Sequence, residues 1–352
     1  MKYIYLLFIS IITLSSCTQT YYVSIDVRKA APLDLGADTK KIIIVDNSFI
    51  SNNADSVYQL KNQALLTKDM VDSVRPIFMR SFIKYLNEEK LYDTVEVYPF
   101  YPKPLDMYKK AGIQIELPLE KEEAAEICSL TEADALISLE LIRISLELNP
   151  YNNDKHSAQL KTKIRAKLRA YGYNGDTIGS PIIQIDSRSK SVALSDKDAI
   201  DKELKTLHLN NIEWVADMLV NSFIPKWESE ERKYYIWYPN SAYKANELVN
   251  QEKWVASIPI WEEVYKKEKS WKQKARCASN TALAHEFADD IGNALKWINT
   301  AYSLLPPDNK SNLAKEIKEY KEILEQRTKE APLLKKQLKI KENHIMHTEN
   351  NL

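Results

Sequence analysis

Along residues 158–171 the chain alternates strictly between apolar and polar positions. Ala158, Leu160, Ile164, Ala166, Leu168 and Ala170 share one parity; Gln159, Lys161, Lys163, Arg165, Lys167 and Arg169 share the other. Only Thr162 softens the apolar set. Successive side chains of a strand point to opposite faces, so the pattern predicts a strand with one face on a core and a row of cations on the other. At ~3.3 Å per residue this strand would reach ~45 Å.

The flanking patterns predict its neighbours. Lys41-Ile42-Ile43-Ile44-Val45 reads as a strand buried on both faces. Met70, Val71, Val74, Ile77, Phe78, Phe82, Tyr85 and Leu86 give residues 67–89 one apolar helical face, which Pro76 should kink or restart. Alternating Tyr92, Val95 and Val97 predict a strand within 91–100. Residues 120–130 read as a helix whose first-turn glutamates suit the positive end of its dipole. Ala133–Leu139 opens another strand, continued by Ile142, Ile144, Leu146 and Leu148. Leu141 beside Ile142 breaks parity and predicts a bulge there.

The Asn149–Asp154 turn then makes residues 139–171 a hairpin. If Leu148 faces Ala158, Glu147 faces Gln159 and Arg143 faces Lys163; Glu140 and Glu147 then join the basic face. A third strand at Ile182–Asp186 adds Asp186. A helix follows over 195–223, with a core stripe of Ile200, Leu204, Leu207, Asn211/Ile212, Val215, Met218/Leu219 and Phe223. The predicted architecture is an α/β domain over 41–226, with a mixed sheet, an antiparallel hairpin and helices. Residues 17–40 read as a tether in which Val23, Ile25 and Val27 alternate as a short strand.

Beyond an aromatic linker or strand at 227–238, the pattern is helical throughout. Trp254, Ser257, Ile258, Trp261 and Val264 recur as Ile291, Ala294, Leu295, Ile298 and Ala301 at one constant offset, with Pro306 ending the second copy. This resembles the tetratricopeptide repeat, a family that docks proteins along concave helix faces. The resemblance implies an all-α repeat domain over 239–330, closed by an amphipathic helix at 309–326, and a probing surface for a protein partner. Isolated repeats are poorly stable, so the array is expected to pack on the α/β domain through the 227–238 aromatics. Trp237, Trp254 and Trp261 are the candidates for partner docking or interdomain packing; the aromatic cluster could alternatively stack on sugar, with packing preferred. Residues 331–352 read as a charged, fraying tail.

The order strand, helix, strand, helix, antiparallel strands, helix resembles the TolB amino-terminal and curli-secretion-channel (CsgG-like) lipoprotein group. The residues that carry this are Ile42–Val45, Ala133–Leu139 and the 139–171 hairpin. The resemblance implies an α/β fold that binds no dinucleotide.

Composition narrows the chemistry. Lys+Arg and Asp+Glu are both 49, so no global basic bias draws the chain to nucleic acid. The 352 residues hold only 6 glycines, none in a phosphate-loop or dinucleotide spacing, which argues against nucleotide chemistry. No cofactor or metal is expected. His344 and His347 have helical metal-pair spacing but lie in the charged tail, and His285-Glu286 lacks a second zincin histidine. Cys128 and Cys277 could pair in an oxidising compartment, but two buried single thiols are preferred. Asp289-Asp290 reads as a turn former rather than an acid–base pair. No nucleophile motif is present, so no catalytic residue is named and the protein is read as non-enzymatic.

The amino terminus supplies the address. Lys2 precedes a short apolar run ending in Leu14-Ser15-Ser16-Cys17, too short for an ordinary span. This resembles the lipobox of bacterial lipoproteins, including those of the Bacteroidota type. It implies cleavage of a signal peptide, residues 1–16, and membrane attachment through lipid (palmitate among its acyl chains) on Cys17. Thr18 rather than Asp after the cysteine implies the outer membrane. The lack of an early acidic run leans towards its periplasmic face. The resulting expectation is an envelope protein serving as an interaction or assembly platform. The alternative is a cell-wall or anionic-ligand binding or activator lipoprotein, using Lys161, Lys163, Arg165, Lys167 and Arg169.

Overall fold

The structure, a computed structural model, describes residues 18–48, 59–60, 63–64, 68–99, 118–151, 154–195, 197–237 and 242–349. Cys17 and the preceding segment lie outside the described residues. In chain order the elements are β1 (Thr18–Lys29), β2 (Lys41–Asp46), β3 (Gln59–Leu60), β4 (Gln63–Ala64), α1 (Lys68–Glu88), β5 (Thr94–Tyr98), α2 (Lys121–Thr131), β6 (Ala135–Tyr151), β7 (Asp154–Gly172), β8 (Thr177–Ala193) and α3 (Lys197–Val220). There follow β9 (Lys226–Trp237), α4 (Tyr243–Asn250), α5 (Trp254–Lys267), α6 (Trp271–Phe287), α7 (Ile291–Ser303) and α8 (Asn312–Glu349). The expected fold class holds: a mixed α/β sheet with an antiparallel hairpin, followed by a helical region. Among the described residues, no helix is long and apolar enough to cross a membrane.

Two compact units divide the chain: Ala30–Lys226 with Leu333–Leu352, and Met1–Lys29 with Trp227–Pro332. In the first, five strands lie in the order β5-β2-β6-β7-β8. β2 pairs parallel with both β5 and β6, while β6–β7 and β7–β8 are antiparallel. Alternation then sorts the faces. Ile42 and Ile44 of β2 and Ile164, Ala166, Leu168 and Ala170 of β7 share a core with Phe78 and Phe82 of α1 and Val215 and Leu219 of α3. Ile43, Val45, Leu136 and Tyr171 point the other way, against Ala124, Ile127 and Cys128 of α2.

Thr162, the polar intruder in the apolar row of β7, is fully buried and meets a polar partner: Asn211 Nδ2 of α3 donates to its Oγ1 at 2.9 Å. Pairing offsets part of the cost of burying both groups, while Asn211 Oδ1 is left without a hydrogen-bond partner. α1 runs through Pro76 as one helix. α2 opens on a capping box between Glu120 and Glu123, which the first-turn glutamates supply. At the other end of the chain α8 continues to Glu349, so residues 331–349 are helical rather than a frayed tail. Gln337 clasps Ala31, accepting from its N–H at 2.8 Å and donating to its carbonyl at 3.0 Å.

Three details of the hairpin differ from expectation. The bulge lies between Leu139 and Leu141, at Glu140, rather than beside Ile142. The register is shifted by two: Leu148 faces Leu160, Glu147 faces Lys161 and Arg143 faces Arg165. The strands continue through Pro150 and Tyr151 and resume at Asp154, so the turn is tighter than the six residues first assigned to it. β8 is also longer than expected. Its Asp186 lies opposite Ile164, which places it on the helix-covered face and not on the basic one.

In the second unit, residues 18–29, first read as tether, form β1 and pair with β9. The alternation of Val23, Ile25 and Val27 was the signal for this strand. Tyr234, Tyr235 and Trp237 of β9, expected to pack the array on the α/β domain, lie instead in the helical unit's own core with Trp261, Ala278, Ile298 and Leu324, because their strand is itself part of that unit. Asn280 of α6 fixes the strand, accepting from Tyr235 N–H at 3.0 Å and donating to Tyr235 O at 2.8 Å. Ser257, Trp261 and Val264 of α5 and Ala294, Ile298 and Ala301 of α7 are buried at corresponding positions of the sequence offset. Small residues at Ser257 and Ala294 let neighbouring helices approach closely. Asp290 caps α7 by accepting from Asn293 N–H, the turn-forming role expected of it. Those Asn293 hydrogen bonds hold its carboxyl below the usual range.

Candidate functional site

The basic row of β7 lies on the sheet face that carries Tyr171 and the α2 contacts. The ladder brings β6 and β8 residues beside it. Ser145, Lys163 and Ser187 form one cross-strand row, Glu147, Lys161 and Ser189 the next, and Arg143, Arg165 and Ile185 another. Lys167 has Leu141 on one side and Ile183 on the other.

The five cations do not share one fate. Glu140 is almost fully buried, and its carboxylate pairs with Lys167 Nζ at 3.0 Å and Arg169 Nε at 2.5 Å. The bulge makes this possible, because an extra residue lets Glu140 and Leu141 fall on the same face. Lys167 and Arg169 are therefore half-buried and share one carboxylate, which offsets one of their two positive charges. Lys161, Lys163 and Arg165, together with Arg143 of β6, reach no carboxylate among the described residues. Arg143 and Lys163 are exposed, and Arg165 and Lys161 are half-buried, with no hydrogen-bond partner for the buried Arg165 Nε.

The three candidate tryptophans separate in the same way. Trp237 and Trp261 are buried together in the core of the helical unit, ring centroids 5.8 Å apart, which removes both from a docking surface. Trp254 is half-buried and stacks flat on Phe287 at 4.0 Å. It lines an open groove of about 1080 Å³ with Tyr21, Tyr22, Ile236, Lys253 and Val255. Tyr22 is 63% exposed. β1 contributes Tyr21 and Tyr22, whose place beside Trp254 depends on the pairing of β1 with β9 and has no local signature in the chain.

A buried ionic cluster was also missed. Glu286, with no exposed side-chain surface, accepts from Arg232 Nε and Nη2, Arg327 Nη1 and Tyr320 Oη. Burial disfavours the Arg232 charge, but the Glu286 carboxylate more than offsets this and holds the guanidinium above its ordinary range. Every partner is internal, so the cluster reads as a fastening between β9, α6 and α8. Cys128 and Cys277 are free, buried thiols; burial pushes Cys128 up to about 11 and Cys277 higher still. Neither is poised as a thiolate nucleophile. Among the described residues, no three His, Cys, Asp or Glu side chains are grouped to hold a metal ion. His344 and His347 fall in α8, where side chains are outside the described set.

No curated protein matches the chain. Among solved structures, a minor lipoprotein from Acinetobacter baumannii is 9% identical with a TM-score of 0.28, over 53% of this chain and 90% of that one. Lipoprotein GNA1162 from Neisseria meningitidis is 13% identical with a TM-score of 0.17, over 49% and 97%. Likeness at these scores carries no inference. Residues 243–326 match a domain of unknown function (DUF6340). A second domain of unknown function (DUF8603) matches residues 39–235, more than half of the chain, and the chain belongs to that family.

Proposed function

We propose that this protein is a non-enzymatic, lipid-anchored envelope protein whose helical unit docks a partner protein. The observation that carries the anchor is Leu14-Ser15-Ser16-Cys17 directly after a short apolar run. In this reading Cys17 bears the lipid, the outer membrane holds it, and the chain faces the periplasm. The α/β unit is a platform of the TolB amino-terminal and curli-secretion-channel type, and the helices act as a tetratricopeptide-like array.

The docking surface is the groove lined by Tyr21, Tyr22, Trp254 and Val255. Exposed aromatic and aliphatic side chains there, with Lys253, Glu252 and Asn250 beside them, form an apolar centre with a polar rim. A photo-crosslinking residue at Val255, in the intact cell envelope, tests the docking. A discrete protein adduct that disappears with Trp254→Ala is expected. Adducts to lipid alone, or an adduct unchanged by Trp254→Ala, would contradict it.

A further inference from the structure

The face that β6, β7 and β8 turn away from α1 and α3 carries more positive charge than the fold neutralises. Glu140 answers Lys167 and Arg169. Arg143, Lys161, Lys163 and Arg165 are left without a carboxylate partner among the described residues, and two of them, Arg143 and Arg165, stand directly opposite each other. Like charges in directly opposed positions destabilise a ladder. Lys163 stands between Ser145 and Ser187, and Lys161 stands opposite Glu147, so the penalty falls on the arginine pair. A face that retains this excess of positive charge is complementary to negative charge supplied from outside.

We infer that this face docks on an anionic phospholipid bilayer. The cations meet headgroup phosphates, and the hydroxyls of Ser145, Ser187 and Ser189 stand in the same cross-strand rows as Lys163 and Lys161. The apolar neighbours choose a bilayer over a soluble polyanion. Ile183 and Ile185, opposite Lys167 and Arg165, are 46% and 49% exposed. Tyr151, 39% exposed, stands at the hairpin tip with its hydroxyl 2.7 Å from Ser191 Oγ. Aliphatic and tyrosine side chains beside cations are the composition of a surface that enters the headgroup boundary. From Lys161 to Arg169 the row runs ~26 Å, a length suited to an extended surface rather than one small anion. The inference goes beyond the proposed function and needs neither lipid on Cys17 nor the helical unit.

The test is sedimentation of the full chain with vesicles of phosphatidylcholine alone, or of phosphatidylcholine and phosphatidylglycerol in equal parts. The apolar amino terminus and any lipid on Cys17 act on both vesicle types, so the ratio reads the basic face. The wild type should prefer anionic vesicles by about tenfold or more, and ~0.5 M salt should abolish the preference. Lys163→Glu with Arg165→Glu should bring the ratio to about one. Lys161→Gln with Lys163→Gln, at surface positions that leave the ladder intact, should lower it part of the way. Ile185→Ser should weaken binding to anionic vesicles in a folded protein. Equal binding of the wild type to both vesicles overturns the inference, as does a preference that survives the charge reversal. Binding of soluble polyphosphate without any vesicle preference would also overturn it, and assign the face to a polyanion.

Discussion

Arg143 and Arg165 face each other across the β6–β7 ladder, and neither reaches a carboxylate among the described residues. The relationship has a stability consequence independent of any ligand. Arg165→Glu converts a repulsive cross-strand pair into an attractive one. It should raise the unfolding free energy by about 0.5 to 1 kcal/mol, read from urea denaturation. A loss of stability would show that the guanidinium is held by something other than its charge.

Glu140 shows the opposite balance. Its carboxylate lies inside the sheet face, between Lys167 and Arg169. Removing one member of a buried ion cluster strands the others, so Glu140→Ala should cost about 3 to 5 kcal/mol. Glu140→Gln, which keeps the shape and one acceptor, should cost less. Denaturant midpoints of the two variants compare them directly; equal, small losses would mean that Lys167 and Arg169 find other partners.

Two glycines make a matched pair. Gly175 sits in the β7–β8 turn at φ +80°, and a Cβ there would lie 1.9 Å from the Lys121 carbonyl oxygen of α2. Gly175→Ala should therefore destabilise by about 2 to 5 kcal/mol and speed amide exchange in α2. Gly292, in the first turn of α7, meets nothing closer than 3.9 Å. Gly292→Ala should stabilise by about 0.5 to 1 kcal/mol. Thermal unfolding reads both signs.

Cys128 predicts a response to alkali. Burial first, and the charge of Asp134 second, raise its thiol from an ordinary 9.0 to about 11. The folded state thus keeps a proton that the unfolded chain releases. The associated stability is complete below about pH 9 and is lost as pH climbs towards 11. At pH 8, a thiol reagent should label Cys128 and Cys277 in urea and neither in native protein. Rapid native labelling of Cys128 would contradict its burial.

How much of this was legible in the sequence depended on which interactions set each feature. The alternation of Ala158–Ala170 with Lys161–Arg169 fixed both faces of β7, because side-chain parity is a local property. The register was not local. It depends on how far β6 and β7 run towards the turn, and Pro150 and Tyr151 proved to be strand residues. Parity loss near Leu141 announced a bulge. The buried carboxylate of Glu140 placed it one step earlier, where two cations could be paired. Asp186 was misassigned because the face of β8 is set by its register against β7, which places Asp186 opposite Ile164 and gives the basic face to Ile183 and Ile185. For the aromatics, sequence spacing marked Trp254 and Trp261 alike. Only packing separated an interior ring from one that lines the groove with Tyr21 and Tyr22 of β1.

The central claim is attachment through Cys17, and mass spectrometry of the amino-terminal peptide of the membrane-extracted protein tests it most directly. The account predicts a chain beginning at Cys17, with a diacylglyceryl group on Sγ and an acyl group on its amino nitrogen. A chain retaining residues 1–16, or an unmodified Cys17 within it, would contradict the account.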